Sequence, residues 1–187
     1  GNELADGRMS WWNPYDKGGF AVVGDPECDR YHPVAALFVV ASALTGGAWW
    51  LIHVKVLVYL LLAAAALHLY LRGRGLAVGP ALVGGLALIA STPVLVHKAS
   101  TIVWPLVWVP LVWLAIDRLI AAPSVRRGAV LGGALGLVVT AGSPPGVFYA
   151  ALLIVPYGAW RGLARVRAGG LDRALAVAAA VAVAVVV

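Results

Sequence analysis

The feature that most limits how this chain can fold is a series of long apolar runs. Residues 48–71 read AWWLIHVKVLVYLLLAAAALHLYL, with His53, Lys55 and His68 as the ionisable side chains. Comparable runs occupy residues 76–96, 102–120, 129–141 and 147–160, and another begins at residue 174. A single buried core cannot absorb that many stretches, whereas a bilayer can, at roughly 20 residues per helical crossing. The composition agrees, with 62% hydrophobic and 12% charged residues against about 45–50% and about 25% in soluble domains. The sequence predicts an all-α, polytopic transmembrane helix bundle of about five to six spans. Residues 1–47 should form an external loop plus an interfacial helix, and residues 48–187 the bundle. The last run rises about 21 Å by residue 187, short of the roughly 30 Å hydrocarbon core. With Gly1 in place of a starting Met, this leads us to expect a fragment cut at both ends.

The net charge of +6 would suit a nucleic-acid partner if it were clustered on one soluble face, but it is distributed by topology. Arg72 and Arg74, then Arg118, Arg126 and Arg127, then Arg161, Arg165, Arg167 and Arg173 follow alternate apolar runs, whereas the opposite connections carry Lys98. The positive-inside rule places the Arg-bearing side in the cytoplasm. The expected arrangement puts residues 1–47 on the external face of the membrane, with no nucleic acid involved. A rival topology treats residues 34–52 as one complete span with His53–Lys55 as the turn. It would move the first loop inside. The single Cys, Cys28, excludes an intrachain disulfide framework.

The long polar segment WWNPYDKGGFAVVGDPECDRYHP, residues 11–33, is where chemistry is expected. Asp25, Glu27 and Asp29 alternate, so an extended backbone points all three the same way, and Pro26 favours that conformation at Asp25. Such carboxylates can hold a divalent cation such as Mg2+ or Mn2+, serve as a general base, or simply face water. His32 precedes Pro33 at the start of the short run 34–44, as a cap, a surface group or a site residue. His53 and Lys55 lie inside a predicted span, where ionisable groups are costly. Lys55 either snorkels outward or meets a phosphate. His97 and Lys98 fill a short external loop, and Ser143 precedes Pro144 and Pro145 in another. All these candidates converge on the external side, where unrelated surface groups would scatter. Gly128, Gly132 and Gly136 share one helix face, a spacing that permits close helix approach. Trp104, Trp108 and Trp113 with Pro105 and Pro110 read as interface anchors and a kink.

The ordered motifs resemble the YfhO-like bacterial membrane proteins. WNPY with GG and the Asp-Pro of residues 25–26, the His-bearing span ending YLRGRGL, the stretch from His97 to the DRL of residues 117–119, and AGSPPGVFY follow that family's order across residues 11–150. Glu27 stands where the family has Gln, and Ser143 and Pro145 replace its His and Gln. The family is similar to GT-C type glycosyltransferases, so the resemblance implies a GT-C-like helical bundle in a bacterial cytoplasmic (inner) membrane. It also implies hexosyl transfer from a polyprenyl-phosphate-linked sugar to an envelope polymer, such as teichoic acid, or to a glycolipid acceptor. Asp25 or Glu27 would be the catalytic base and, with Asp29, a metal ligand. His53, Lys55, His97 and Lys98 would face the lipid phosphate, and Asn13, Tyr15, His32 and Ser143 the substrate. The competing reading is a non-enzymatic carrier of lipid-linked sugar, or a membrane assembly partner, that uses the same cations without chemistry.

Overall fold

The computed structural model describes residues 12–13, 20–21, 32–91 and 101–169. Trp12–Asn13 (β1) and Phe20–Ala21 (β2) pair antiparallel, Trp12 opposite Ala21 and Asn13 opposite Phe20. They bracket the Pro- and Gly-bearing residues 14–19. Among the described residues, everything else with regular structure is helical.

Helix α1, Pro33–Leu44, starts on a well-formed cap. His32 is extended (φ −77°, ψ 129°) and its ring accepts from the Val34 N–H, while Pro33 occupies the first helical position, where no N–H is needed. Twelve residues rise only about 18 Å, less than the bilayer core. Gly46 and Gly47 then take positive φ, 66° and 84°, a region open to glycine at little cost. The chain therefore turns before Leu51, and residues 34–52 do not form the single span of the rival topology.

Helix α2, Leu51–Gly73, is 23 residues long, and its Gly75 turn (φ 90°) leads into α3, Val78–Ile89. The two pack closely because a Cβ at Gly85 would lie 2.7 Å from the Ala64 carbonyl oxygen. Helix α3 spans 12 residues, shorter than the expected run 76–96. It closes at Ser91, whose hydroxyl donates to the Leu88 carbonyl at 2.7 Å.

Helices α4, Val103–Val107, and α5, Val109–Ala121, form one interrupted rod. Pro105 and Pro110 each lack the N–H that an α-helix uses, and the break falls at Trp108 between them, as the two prolines predict. This rod is the centre of the molecule. Val112, Ala115, Ile116, Leu119 and Ile120 are buried in one cluster with Tyr59 and Ala63 of α2.

Helix α6, Val125–Val139, starts on Ser124, and α7, Pro144–Gly169, runs in the same direction as the α4–α5 rod, Gly146 against Ile102 and Arg161 against Asp117, with Pro156 inside it. Two expectations are corrected here. Helix α6 turns Leu131, Ala134 and Val138 inward, and a Cβ at Gly136 would meet nothing within 4 Å, so the Gly128–Gly132–Gly136 stripe is not a close-approach seam along its length. Tight glycine packing occurs instead at Gly85 and at Gly146, where a Cβ would lie 2.5 Å from the Ile102 carbonyl oxygen. Arg161, Arg165 and Arg167 belong to α7 and not to a loop, because the good helix formers around them carry the helix on to Gly169.

Three helices are long and apolar enough to cross a membrane: Leu51–Gly73, Val103–Ala121 and Pro144–Arg167. The chain thus has the character of a membrane-spanning helical bundle, with three such helices among the described residues where five to six spans were expected. Leu57, Leu61, Val83, Leu86, Phe148, Leu152 and Val155 are exposed. In water that would be a liability, whereas acyl chains solvate it.

Candidate functional site

The N-terminal ends of α1, α2 and α7 and the start of α4 gather at one end of the bundle, where four aromatic rings and a lysine meet. Tyr59 stands one turn after Lys55 on α2, so both share a face. Trp104 and Trp108 are likewise one turn apart, across the α4–α5 break. The Lys55 ammonium lies 4.3 Å from the Trp104 ring centroid. Trp104 stacks on Tyr59 (5.0 Å, 10°). Tyr59 in turn contacts His32 (5.6 Å between rings), and His32 contacts Trp108 (5.3 Å). A lysine over an indole face gains about 0.5–2 kcal/mol, most where water is excluded.

The geometry assigns the protons of this cluster. His32 Nδ1 is 3.2 Å from the Val34 backbone nitrogen and 3.0 Å from the Tyr59 hydroxyl. A backbone N–H can only donate, so Nδ1 accepts; Tyr59 O–H then donates to the same atom, and Nε2 carries the proton. His32 is fully buried, and its cap and its tyrosine contact fix the ring in one orientation. Trp104 and Trp108 are also buried, and neither indole N–H meets an acceptor among the described residues. Buried donors without partners cost about 1–3 kcal/mol each, so an acceptor reaching them would be bound at a gain. Together with Lys55, they make this end of the bundle rich in donors.

Two cavities flank the cluster. One, of about 470 Å³, lies between α1 and the start of α2 and is lined by Lys55, Ser42 and Trp49 among others. The second, of about 550 Å³, is apolar, with Leu60, Leu106, Val107, Pro110 and Leu153 in its wall. Charge and hydrocarbon space therefore adjoin along α2 and α4.

Of the residues singled out from the sequence, His32 and Lys55 come together through Tyr59 and Trp104. His53 does not join them. It lies on an exposed face of α2 with its ring edge-on to Trp49 at 5.5 Å, since two residues along a helix turn a side chain to the far side. Ser143 is buried near α4, and its hydroxyl accepts from the Gly146 N–H at 3.2 Å, capping α7. Asn13 lies in β1 opposite Phe20. Tyr15, Asp25, Glu27, Asp29, His97 and Lys98 lie outside the described residues. Among the described residues no group of three His, Cys, Asp or Glu side chains is placed to hold a metal ion.

A second polar cluster, not singled out from the sequence, forms at the opposite end. Asp117 of α5 accepts from Arg161 Nε at 2.6 Å on one carboxylate oxygen. The other oxygen accepts from the Tyr157 hydroxyl at 2.9 Å and from Arg74 at 3.4 Å. Tyr70 donates to the Tyr157 oxygen at 3.2 Å. The signal was available: Asp117 is the one acid between residues 30 and 171, and a carboxylate at the end of an apolar run demands partners.

No protein family, curated protein or solved structure matches the chain.

Proposed function

We propose that the chain belongs to a membrane glycosyltransferase-like protein that takes a polyprenyl-phosphate-linked sugar on the external face. The product would be a hexosylated envelope polymer or glycolipid. The observation that carries this reading is the cluster of Lys55, Trp104, Tyr59, His32 and Trp108 beside an apolar cleft, at the end of the bundle away from most of the arginines. A lipid-linked sugar needs those neighbours: a cation and N–H donors for the phosphate, aromatic faces for the sugar, and hydrocarbon for the isoprenoid tail.

In this reaction an acceptor hydroxyl gives its proton to a loop carboxylate, Asp25 or Glu27, and attacks the anomeric carbon. The new glycosidic bond forms as the bond from that carbon to the phosphate oxygen breaks. Lys55 stabilises the charge that collects on the departing polyprenyl phosphate, as electrostatic catalysis requires.

The test is transfer of hexose from polyprenyl-phosphate hexose by the whole protein in proteoliposomes. Lys55→Met should lower the rate about 100-fold or more, and Lys55→Arg should recover part of it. Transfer unchanged in Lys55→Met would remove the lysine from the mechanism. Binding of the lipid-linked sugar with no transfer under any condition would favour a carrier instead.

A further inference from the structure

The corner between α5 and α6 holds a cavity of about 600 Å³ whose rim includes Arg118, Arg126 and Arg127. These three guanidiniums are differently employed. Arg127 Nη1 donates to the Ala122 carbonyl at 2.5 Å and to the Arg118 carbonyl at 3.2 Å, tying off the end of α5. The Ser124 hydroxyl accepts from the Arg127 N–H at 3.3 Å, and the Gly128 N–H reaches the Ser124 carbonyl at 2.9 Å. The corner is therefore braced from both helices. The guanidiniums of Arg118 and Arg126 take no part in that bracing. Both residues are exposed, and neither guanidinium has a hydrogen bond or ion pair among the described residues. The acid next to Arg118, Asp117, has its oxygens taken by Arg161, Tyr157 and Arg74.

Position and lining identify what would satisfy them. Arg118 sits in the last turn of Val103–Ala121, a helix long and apolar enough to cross a membrane, so the cavity lies at headgroup depth. The cavity wall also includes Ala115 and Val130, and Val130 is 53% exposed. Cationic rim and apolar wall suit an amphiphile with an anionic head. A small free anion would use the rim and gain nothing from the wall.

We propose that this corner is a binding site for an anionic phospholipid, with its phosphodiester between Arg118 and Arg126 and an acyl chain along Val130. Basic pockets between membrane helices hold anionic headgroups in this manner. The site is independent of the sugar chemistry at the other end of the bundle.

Native mass spectrometry of the whole protein released from detergent with phosphatidylglycerol tests it. The wild type should retain the lipid saturably, and phosphatidylcholine of the same chain length should be retained far less. Each arginine removed should weaken retention about five-fold, so the Arg118→Gln/Arg126→Gln pair should lose about 25-fold. The charge-matched pair Arg72→Gln/Arg167→Gln should retain the lipid as the wild type does. Equal loss in both pairs would show diffuse charge attraction and overturn the site. So would equal retention of phosphatidylcholine, or displacement of the lipid by millimolar inorganic phosphate.

Discussion

His32 shows how much one side chain can set. Its Nδ1 takes both the Val34 N–H and the Tyr59 hydroxyl, so the start of α1 and the middle of α2 are fixed by the same atom. His32→Ala removes a helix cap and the ring nitrogen that accepts from the buried Tyr59 hydroxyl, a loss on the order of 2 kcal/mol. His32→Asn restores an acceptor for the cap and should recover about half of it. Thermal unfolding of the two variants in one detergent measures the difference; equal midpoints for His32→Ala and the wild type would contradict the assigned contacts. At this scale the sequence was partly legible. His32 before Pro33 announces a helix start, and Lys55 inside an apolar run demands a partner. The partners themselves, Tyr59 and Trp104, were hidden, because aromatic residues in apolar runs look alike until packing brings two helices together. His53 had the same signal as Lys55, but its helical phase sent it outward.

The elements show where small residues matter. At Gly146 of α7, an added methyl group would meet the Ile102 carbonyl oxygen and, at 2.9 Å, Pro105. Gly146→Ala therefore drives α7 away from α4 and should cost about 1–3 kcal/mol, as overpacking does. Gly136→Ala meets nothing within 4 Å and should be neutral or stabilising by up to about 1 kcal/mol from helix propensity. Unfolding of the pair under one denaturing condition checks the contrast, and the reverse order would contradict the packing of α4 against α7. The four-residue glycine spacing in α6 pointed to the wrong seam. Spacing shows which residues share a face, whereas close approach depends on which face the neighbouring helix meets, and α6 meets α5 through Leu131, Ala134 and Val138. The kink at Pro105 and Pro110 was legible because it is a covalent property of proline.

Across the whole molecule, the two polar clusters stand at opposite ends of α2 and of the α4–α5 rod. Asp117 joins α2, α5 and α7 through Arg74, Tyr157 and Arg161, with 13% of its side chain exposed and 27–37% of its arginine partners exposed. Asp117→Asn keeps the shape and removes the charge that holds both guanidiniums. It should cost about 1–3 kcal/mol, between the values for exposed and buried pairs, and the loss should shrink in high salt. Midpoints of detergent unfolding at low and high salt measure both; a salt-independent loss would assign the effect to packing. The membrane character of the fold was the most legible property, since it rests on run length and charge alone. The number of crossings was less so, because apolar composition does not mark where a helix such as α3 stops.

The break at Trp108 has a mechanical meaning. Pro105 and Pro110 leave two successive turns of the central rod without their usual backbone ties, and Trp104 and Trp108 are mounted there. Beyond it, α5 is wedged among α2, α6 and α7. The walls of the donor-rich site thus hang from the break, and the close contact of Gly146 with Ile102 and Pro105 sets its bend. Any change in that bend would re-aim both indoles against Lys55 and His32, so the fit of α7 against α4 also fixes the geometry of the donors.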